Sequence, residues 1–313
     1  MCFSRYTDGD APGWPPQFIS APDTVFLLAG EAFSPYDGVG YAVHEATGKG
    51  MSMRYLYLLI VCSLFVCGTL GQAQAEADRD KLLKEPGIYA TFAVYKASEQ
   101  WWQMDSPARA AACAEIKKIV ERYADRVTVD VHLLRGLSER ADILFRVHSK
   151  EMIHNQNFLL DLMSSQLGKQ LKSVDTFNGI TKTLNYVPTF PDELKTELKT
   201  PPPQASTYVI VVPIRKDAKW WNSGQGVRSD MMKEHTDATV AYLKTVKRKL
   251  YHSSGLDDWD FITYFETSKL DDFNNLVTGL LKVKENQHNQ VFGDPLLLGT
   301  IRPFDEILDI LSR

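Results

Sequence analysis

Two tryptophan pairs limit what this chain can fold into. Trp101-Trp102 recurs as Trp220-Trp221, and Gly136-Leu137 recurs as Gly255-Leu256, each time 119 residues later. One spacing shared by two landmarks marks an internal duplication. The segments around them match in type. Each copy opens with a strand, at 87–95 and 207–214, followed by the tryptophan pair and a helix at about 107–124 and 227–244. A second strand follows at 127–134 and 246–253, then the Gly-Leu turn and a third strand at 142–148 and 259–266. A second helix covers about 151–167 and 269–284, and a less distinct strand closes each copy. The order β-α-β-β-α-β is the ferredoxin-like pattern. Two such repeats with antiparallel sheets make an α+β chain. The expected boundaries are an N-terminal domain at 78–190, a polar, proline-rich linker at 191–206 and a C-terminal domain at 207–313.

The residues ahead of the duplication read differently. Positions 51–77 carry Arg54, then a continuous apolar run from Tyr55 to Leu70, then Ala73-Gln74-Ala75 as an A-x-A cleavage site. This is the layout of a secretory signal peptide at 51–75. The run spans 16 residues, short of the roughly 20 that cross a bilayer. The reading is therefore export to the periplasm, with no membrane attachment after cleavage. Residues 1–50 read as an upstream translation artefact or a disordered leader. Of the four cysteines, at 2, 62, 67 and 113, only Cys113 stays in the mature chain. A disulfide within the mature chain is thereby excluded, and packing must supply the stability. Lysines and arginines are spread among acids, and the densest run, 244–250, is short. That argues against a nucleic-acid partner.

A duplicated scaffold reveals its chemistry where one copy departs from the other. At the offset of 119, His235 faces Ile116, Arg248 faces Val129, Lys216 faces Ala97 and Glu285 faces Gln166. The site is expected in the second repeat. His235 shares a helix face with Met231, Ala238 and Tyr242 and so points inward. A histidine there is either a satisfied core residue or an axial ligand to haem iron. In its strand Arg248 shares a face with Val246, Leu250 and His252, while Lys247, Lys249 and Tyr251 take the other, which reads as solvated. A guanidinium on an apolar face needs an anion. A carboxylate such as Asp257 or Asp258 is one source, and an anionic substrate is the other. Glu285, near the end of the last predicted helix, is a surface glutamate or the acceptor of an imidazole N–H. At least one tryptophan pair is packing. No P-loop, G-x-G-x-x-G, H-E-x-x-H or C-x-x-C-H motif occurs, which disfavours a covalently attached haem.

The stretches TYVIVVPIRKDAKWW (207–221), KEHTDATVAYLKTVKRKLYHSSGLDDWDFITYFET (233–267) and VKENQHNQVFGDPLLLGT (283–300) resemble the chlorite dismutase family, in its long form with two complete repeats. The resemblance covers about 78–313, closely in the C-terminal part and more loosely in the first repeat. It implies one haem b per subunit, held in the C-terminal ferredoxin-like domain. His235 then matches the proximal iron ligand, Glu285 its hydrogen-bonding carboxylate and Arg248 the distal arginine. Lys216 and Trp220 match residues near the haem propionates. Trp221 matches a tryptophan supporting the pocket or a subunit contact, and Asn185 and Tyr186 a segment reaching the haem edge. The implied reaction takes chlorite to chloride and dioxygen through ferryl haem and hypochlorite, in a homopentamer. The alternatives are a coproporphyrin-haem decarboxylase or a haem peroxidase of the same fold.

Overall fold

The computed structural model describes residues 85–183 and 204–313. Asn185 and Tyr186, the segment at 51–75 expected as a signal peptide and all of the expected linker before Gln204 lie outside these residues. The first repeat runs β1 (Tyr89–Ala97), α1 (Glu99–Gln103), α2 (Ser106–Arg122), β2 (Thr128–Leu133), β3 (Ile143–Ser149), α3 (Met152–Ser164) and β4 (Leu171–Ile180). The second runs β5 (Tyr208–Lys216), α4 (Ala218–Asn222), α5 (Gln225–Thr239), β6 (Val246–His252), β7 (Phe261–Thr267), α6 (Leu270–Leu280), β8 (Asn289–Phe292) and β9 (Leu297–Ile301). A final helix, α7 (Phe304–Ser312), ends the chain.

Both repeats have the expected strand order. The sheets read β4-β1-β3-β2 and, through β5, β7 and β6 with β8 and β9 on the other edge of β5, the same arrangement again. They do not stand apart. β4 meets β6 at Ile180–His252, and β2 meets β9 at His132–Ile301 and Leu133–Thr300. Eight strands thus close into a ring, with β8 as an outlying strand. The ring interior is filled by Phe92, Leu144, Phe177, Val211, Tyr251 and Ile262. Alternation sends the other residues of each strand outward against the helices. The first repeat packs its outer face on α2 and α3, and the second on α5 and α6.

Three readings from sequence change here. Tyr251 is fully buried inside the ring, so the reading of its face as solvated fails there, although Lys247 on the same face is exposed and Lys249 half-buried. Closure of two sheets supplies a second buried surface that a strand read alone does not reveal. The second helix of the second repeat stops at Leu280, and Glu285 sits on a separate 3-10 turn, Lys284–His288. The closing strand is likewise broken in two, β8 and β9, around Gly293 at φ +72°. Helix α7 has no counterpart in the sequence reading. It buries Ile307, Leu308 and Leu311 against the first repeat, beside Ile116 and Trp101. The Trp101 indole N–H donates to Leu311 O at 3.0 Å.

Candidate active site

Lys216 stands at the end of β5, and Asp217 follows as the N-cap of α4, accepting from the Trp220 N–H at 2.7 Å. Ser98 does the same for Trp101 in the first repeat. Such a cap satisfies a free N–H of the first helical turn, which turns each tryptophan pair about its helix in a fixed way. Trp220 is buried and Trp221 half-exposed. His288 reaches back from its 3-10 turn, with Nδ1 at 3.0 Å from Asp217 Oδ1, and its ring lies 6.0 Å from that of Trp220.

Against this frame α5 carries His235, and β6 carries Arg248. Both side chains line one cavity of about 330 Å³. Its walls are largely apolar: Ile214, Met232, Leu243, Phe261, Phe265 and Leu276 all contribute. Trp220 and Lys216 also line it. Trp221 does not. It stacks on Phe261 at 6.0 Å from outside the wall.

His235 Nδ1 is 2.9 Å from Glu285 Oε2. Burial, then the charges of Arg248 and Lys216, push the imidazole pKa down to about 4. The ring is therefore neutral near pH 7. With a carboxylate accepting at Nδ1, that nitrogen carries the proton and Nε2 keeps its lone pair. The other oxygen of Glu285 is ion-paired with the Lys216 ammonium. Both Lys216 and Glu285 are buried, and burial pulls the Lys216 pKa down to about 8. Lys216 Nζ also sits 4.6 Å from the Trp220 ring centroid. The resemblance implies Lys216 near haem propionates; in the structure its ammonium is turned to Glu285, behind the imidazole. A buried carboxylate costs less when a cation shares it, and this explains why the two charges appear together in the second repeat alone.

Arg248 donates from Nη1 to Thr239 Oγ1 at 2.9 Å and from Nη2 to Thr239 O at 3.2 Å. Its buried Nε has no hydrogen-bond partner among the described residues. No described carboxylate is paired with it. Burial lowers its pKa to about 10, which leaves it charged at neutral pH. Neither of the two aspartates proposed from sequence pairs with it. Asp257 accepts from the Asn178 and Asp258 N–H groups, and the Asp258 carbonyl accepts from Arg215. Among the described residues no carboxylate serves as its anion, which favours a ligand.

The cavity fits a haem. It offers a single neutral imidazole with one nitrogen free, apolar walls for a porphyrin, and a cation with no carboxylate partner among the described residues. Among those residues no three His, Cys, Asp or Glu side chains converge as a metal site of their own, so a metal bound through His235 needs a further ligand set such as porphyrin. Sequence reasoning passed over Thr239, Asp217 and His288. Thr239 was legible as the residue one turn after His235. Asp217 was legible as a cap three residues before Trp220. His288 had no local signal.

A family model described as chlorite dismutase matches residues 109–302. Over 238 residues the chain is 38% identical to chlorite dismutase of Ideonella dechloratans, covering 75% of this chain and 84% of that one. It is similar to the solved structure of chlorite dismutase from Candidatus Nitrospira defluvii in complex with imidazole, at 48% identity and a TM-score of 0.72, covering 75% of this chain and 100% of the other. A haem-binding protein from Thermus thermophilus shares the fold at 19% identity and a TM-score of 0.60, over 73% of this chain and 96% of its own.

Proposed function

Because this chain belongs to the chlorite dismutase family, we propose that it decomposes chlorite to chloride and dioxygen on a haem b held by His235, one per subunit. The observation that carries the proposal is the pairing, in one apolar cavity, of a neutral imidazole and a guanidinium that no described carboxylate neutralises. Chlorite, ClO₂⁻, has the atoms and charge of chloride plus dioxygen, so no outside reductant or proton is consumed.

Haem, when bound, supplies the redox chemistry that breaks the bonds to chlorine and forms the bond between oxygens. The residues of this chain do the rest. His235 would hold the iron through Nε2. Glu285 accepts the Nδ1 proton's hydrogen bond, which fixes the tautomer and makes the imidazole a stronger donor. Lys216 limits that effect by sharing the carboxylate. Arg248 would bind the anion with charge-assisted hydrogen bonds and keep it in the cavity. Thr239 fixes the guanidinium so that little reorganisation is needed. The apolar walls keep water away and strengthen each of these charges. Trp220 lines the cavity beside where the group would sit, with Trp221 behind Phe261.

The protein is exported by cleavage of the segment at 51–75, acts in the periplasm and assembles as a homopentamer. The apolar run with its A-x-A motif supports the first, and the resemblance to the long two-repeat form supports the last. The resemblance implies that coproporphyrin decarboxylases of this fold lack an arginine at the position of Arg248, and assaying chlorite and hydrogen peroxide on one preparation separates a peroxidase. The test is chloride release from haem-loaded protein, followed by ion chromatography. One chloride per chlorite consumed is expected. Chlorite left unchanged beside a clean Soret band overturns the assignment.

A further inference from the structure

The two repeats share a link that is charged in only one of them. In the first repeat the 3-10 turn Gly168–Gln170 ends on Gln170. The Ser98 backbone N–H donates to Gln170 O at 2.8 Å, and the Ser98 hydroxyl donates to Gln170 Oε1 at 2.8 Å. In the second repeat the 3-10 turn Lys284–His288 ends on His288. The Asp217 backbone N–H donates to His288 O at 2.9 Å, and His288 Nδ1 lies 3.0 Å from Asp217 Oδ1. Ser98 and Asp217 each cap the helix that carries a tryptophan pair. Cap, turn and backbone link are thus one scaffold used twice. Serine and glutamine serve it in the first repeat, so closing the scaffold does not by itself call for an aspartate and a histidine.

The difference lies in what each turn carries. Three residues before Gln170 stands Leu167, fully buried in the core of the first repeat, where packing holds it. Three residues before His288 stands Glu285, whose two oxygens meet two different donors, Lys216 and His235. Hydrogen bonds weaken steeply with misalignment, so a carboxylate doing this on a short turn needs the turn fixed at both ends. The leading end follows α6, where Val283 packs with Leu276 and Leu280. At the trailing end His288 is half-buried, and Asp217 holds it. A hydrogen bond to an ionised carboxylate is roughly twice as strong as a neutral one. The same Asp217 oxygen accepts from the Trp220 N–H at 2.7 Å. One carboxylate therefore ties the turn bearing Glu285 to the helix bearing Trp220, beside Lys216. Burial lowers the Lys216 pKa, and the charges of Asp217 and Asp260 oppose that fall, which favours the ammonium that Glu285 meets.

We propose that Asp217 and His288 are positioning residues, whose bond aligns Glu285 with the His235 N–H and so sets the donor strength of that imidazole. This role deepens, and rests on, the reading of His235 as a haem ligand.

The experiment gives the second repeat the neutral link of the first, by combining Asp217→Ser with His288→Gln. Cap and link are kept, so the fold should be kept. His288→Gln alone leaves the Asp217 cap and charge in place and is the milder variant. In the haem-loaded protein, resonance Raman of the ferrous form reads the iron–imidazole stretch. It should move to lower frequency in the double variant, and by less in the single one, at unchanged haem content. In the haem-free chain, NMR reads the His235 Nδ1 proton. It should be sharp in wild type and broadened in the variants by faster exchange with water. A wild-type stretch, or a wild-type Nδ1 proton, in both folded variants overturns the proposal. A chain that takes up no haem fails the functional reading, and the Nδ1 proton then decides this one alone.

Discussion

Glu285 serves two donors at once, the Lys216 ammonium and the neutral His235 imidazole N–H. Removing it should therefore cost more than one contact. Glu285→Ala leaves Lys216 buried with its carboxylate gone, and breaking a buried pair in this way typically costs about 3–5 kcal/mol. Urea unfolding of the apo protein measures this. Adding Lys216→Met to that variant should restore much of the loss, and a double variant no better than the single would show that the pair is not coupled. His235 makes the apo protein pH-dependent. Its folded pKa, about 4, lies below the ordinary value of 6.5, so between these values the unfolded chain binds more protons. Stability then rises with pH across that window and is lost as pH falls from about 6.5 toward 4. Melting temperatures of wild type and His235→Phe at pH 4.5 and 7 test it: the wild type should lose more on acidification, and equal losses would contradict the shift. Arg248→Ala should keep haem and fold, because Thr239 is its only described anchor. It should inactivate after several-fold fewer turnovers per haem, as read from the total chlorite consumed before bleaching. An unchanged total would remove Arg248 from anion retention.

At the scale of elements, the duplication made most of the fold legible. Strand and helix positions in both repeats follow from alternation and helical spacing, because each element buries one face against a neighbour in its own repeat. Readings failed where burial came from elsewhere. Tyr251 reads as solvated beside Lys247 and Lys249, yet its partner surface is the other repeat across the ring, where its hydroxyl meets His148 Nε2 at 2.9 Å. Glu285 was found by comparing the repeats, but its 3-10 turn was not, since Gly279 lies inside the last turn of α6 and no glycine or proline follows between Leu280 and Glu285. Helix α7 has a legible apolar stripe, Ile307, Leu308 and Leu311, with no sequence signal for what it covers. It covers the first repeat at Trp101 and Ile116, the counterparts of Trp220 and His235. One repeat opens a cavity where the other seats a helix. Leu311→Ala should accordingly destabilise the fold by about 2–5 kcal/mol, measured by urea unfolding, while haem affinity in the second repeat stays near wild type. A loss below about 1 kcal/mol would mean that α7 is not part of that core. Gly299 marks the seam between the repeats. A Cβ there would lie 2.6 Å from Leu134 Cδ2 and 2.8 Å from Leu133 O, so β9 approaches β2 only because the side chain is missing.

Taken whole, the chain is a ring of two related sheets in which chemistry has gathered on one side. The first repeat has become support: its apolar Ile116, Val129 and Ala97 stand where the second repeat has His235, Arg248 and Lys216. The second repeat holds a neutral imidazole backed by a shared carboxylate, and a cation held ready for an anion. Asymmetry between the copies was readable from sequence alone, because a duplicated scaffold supplies its own reference. Which anion Arg248 awaits was not readable from the pattern, since a partner carboxylate and a substrate leave the same trace in a sequence; the resemblance names chlorite, and among the described residues no carboxylate, Asp257 and Asp258 included, serves as the internal partner. Oxygen evolution on adding chlorite to haem-loaded protein, followed with an electrode, tests this account most directly. It predicts one dioxygen per chlorite, with no added reductant. Chlorite consumed without oxygen, from protein with an intact Soret band, would contradict it.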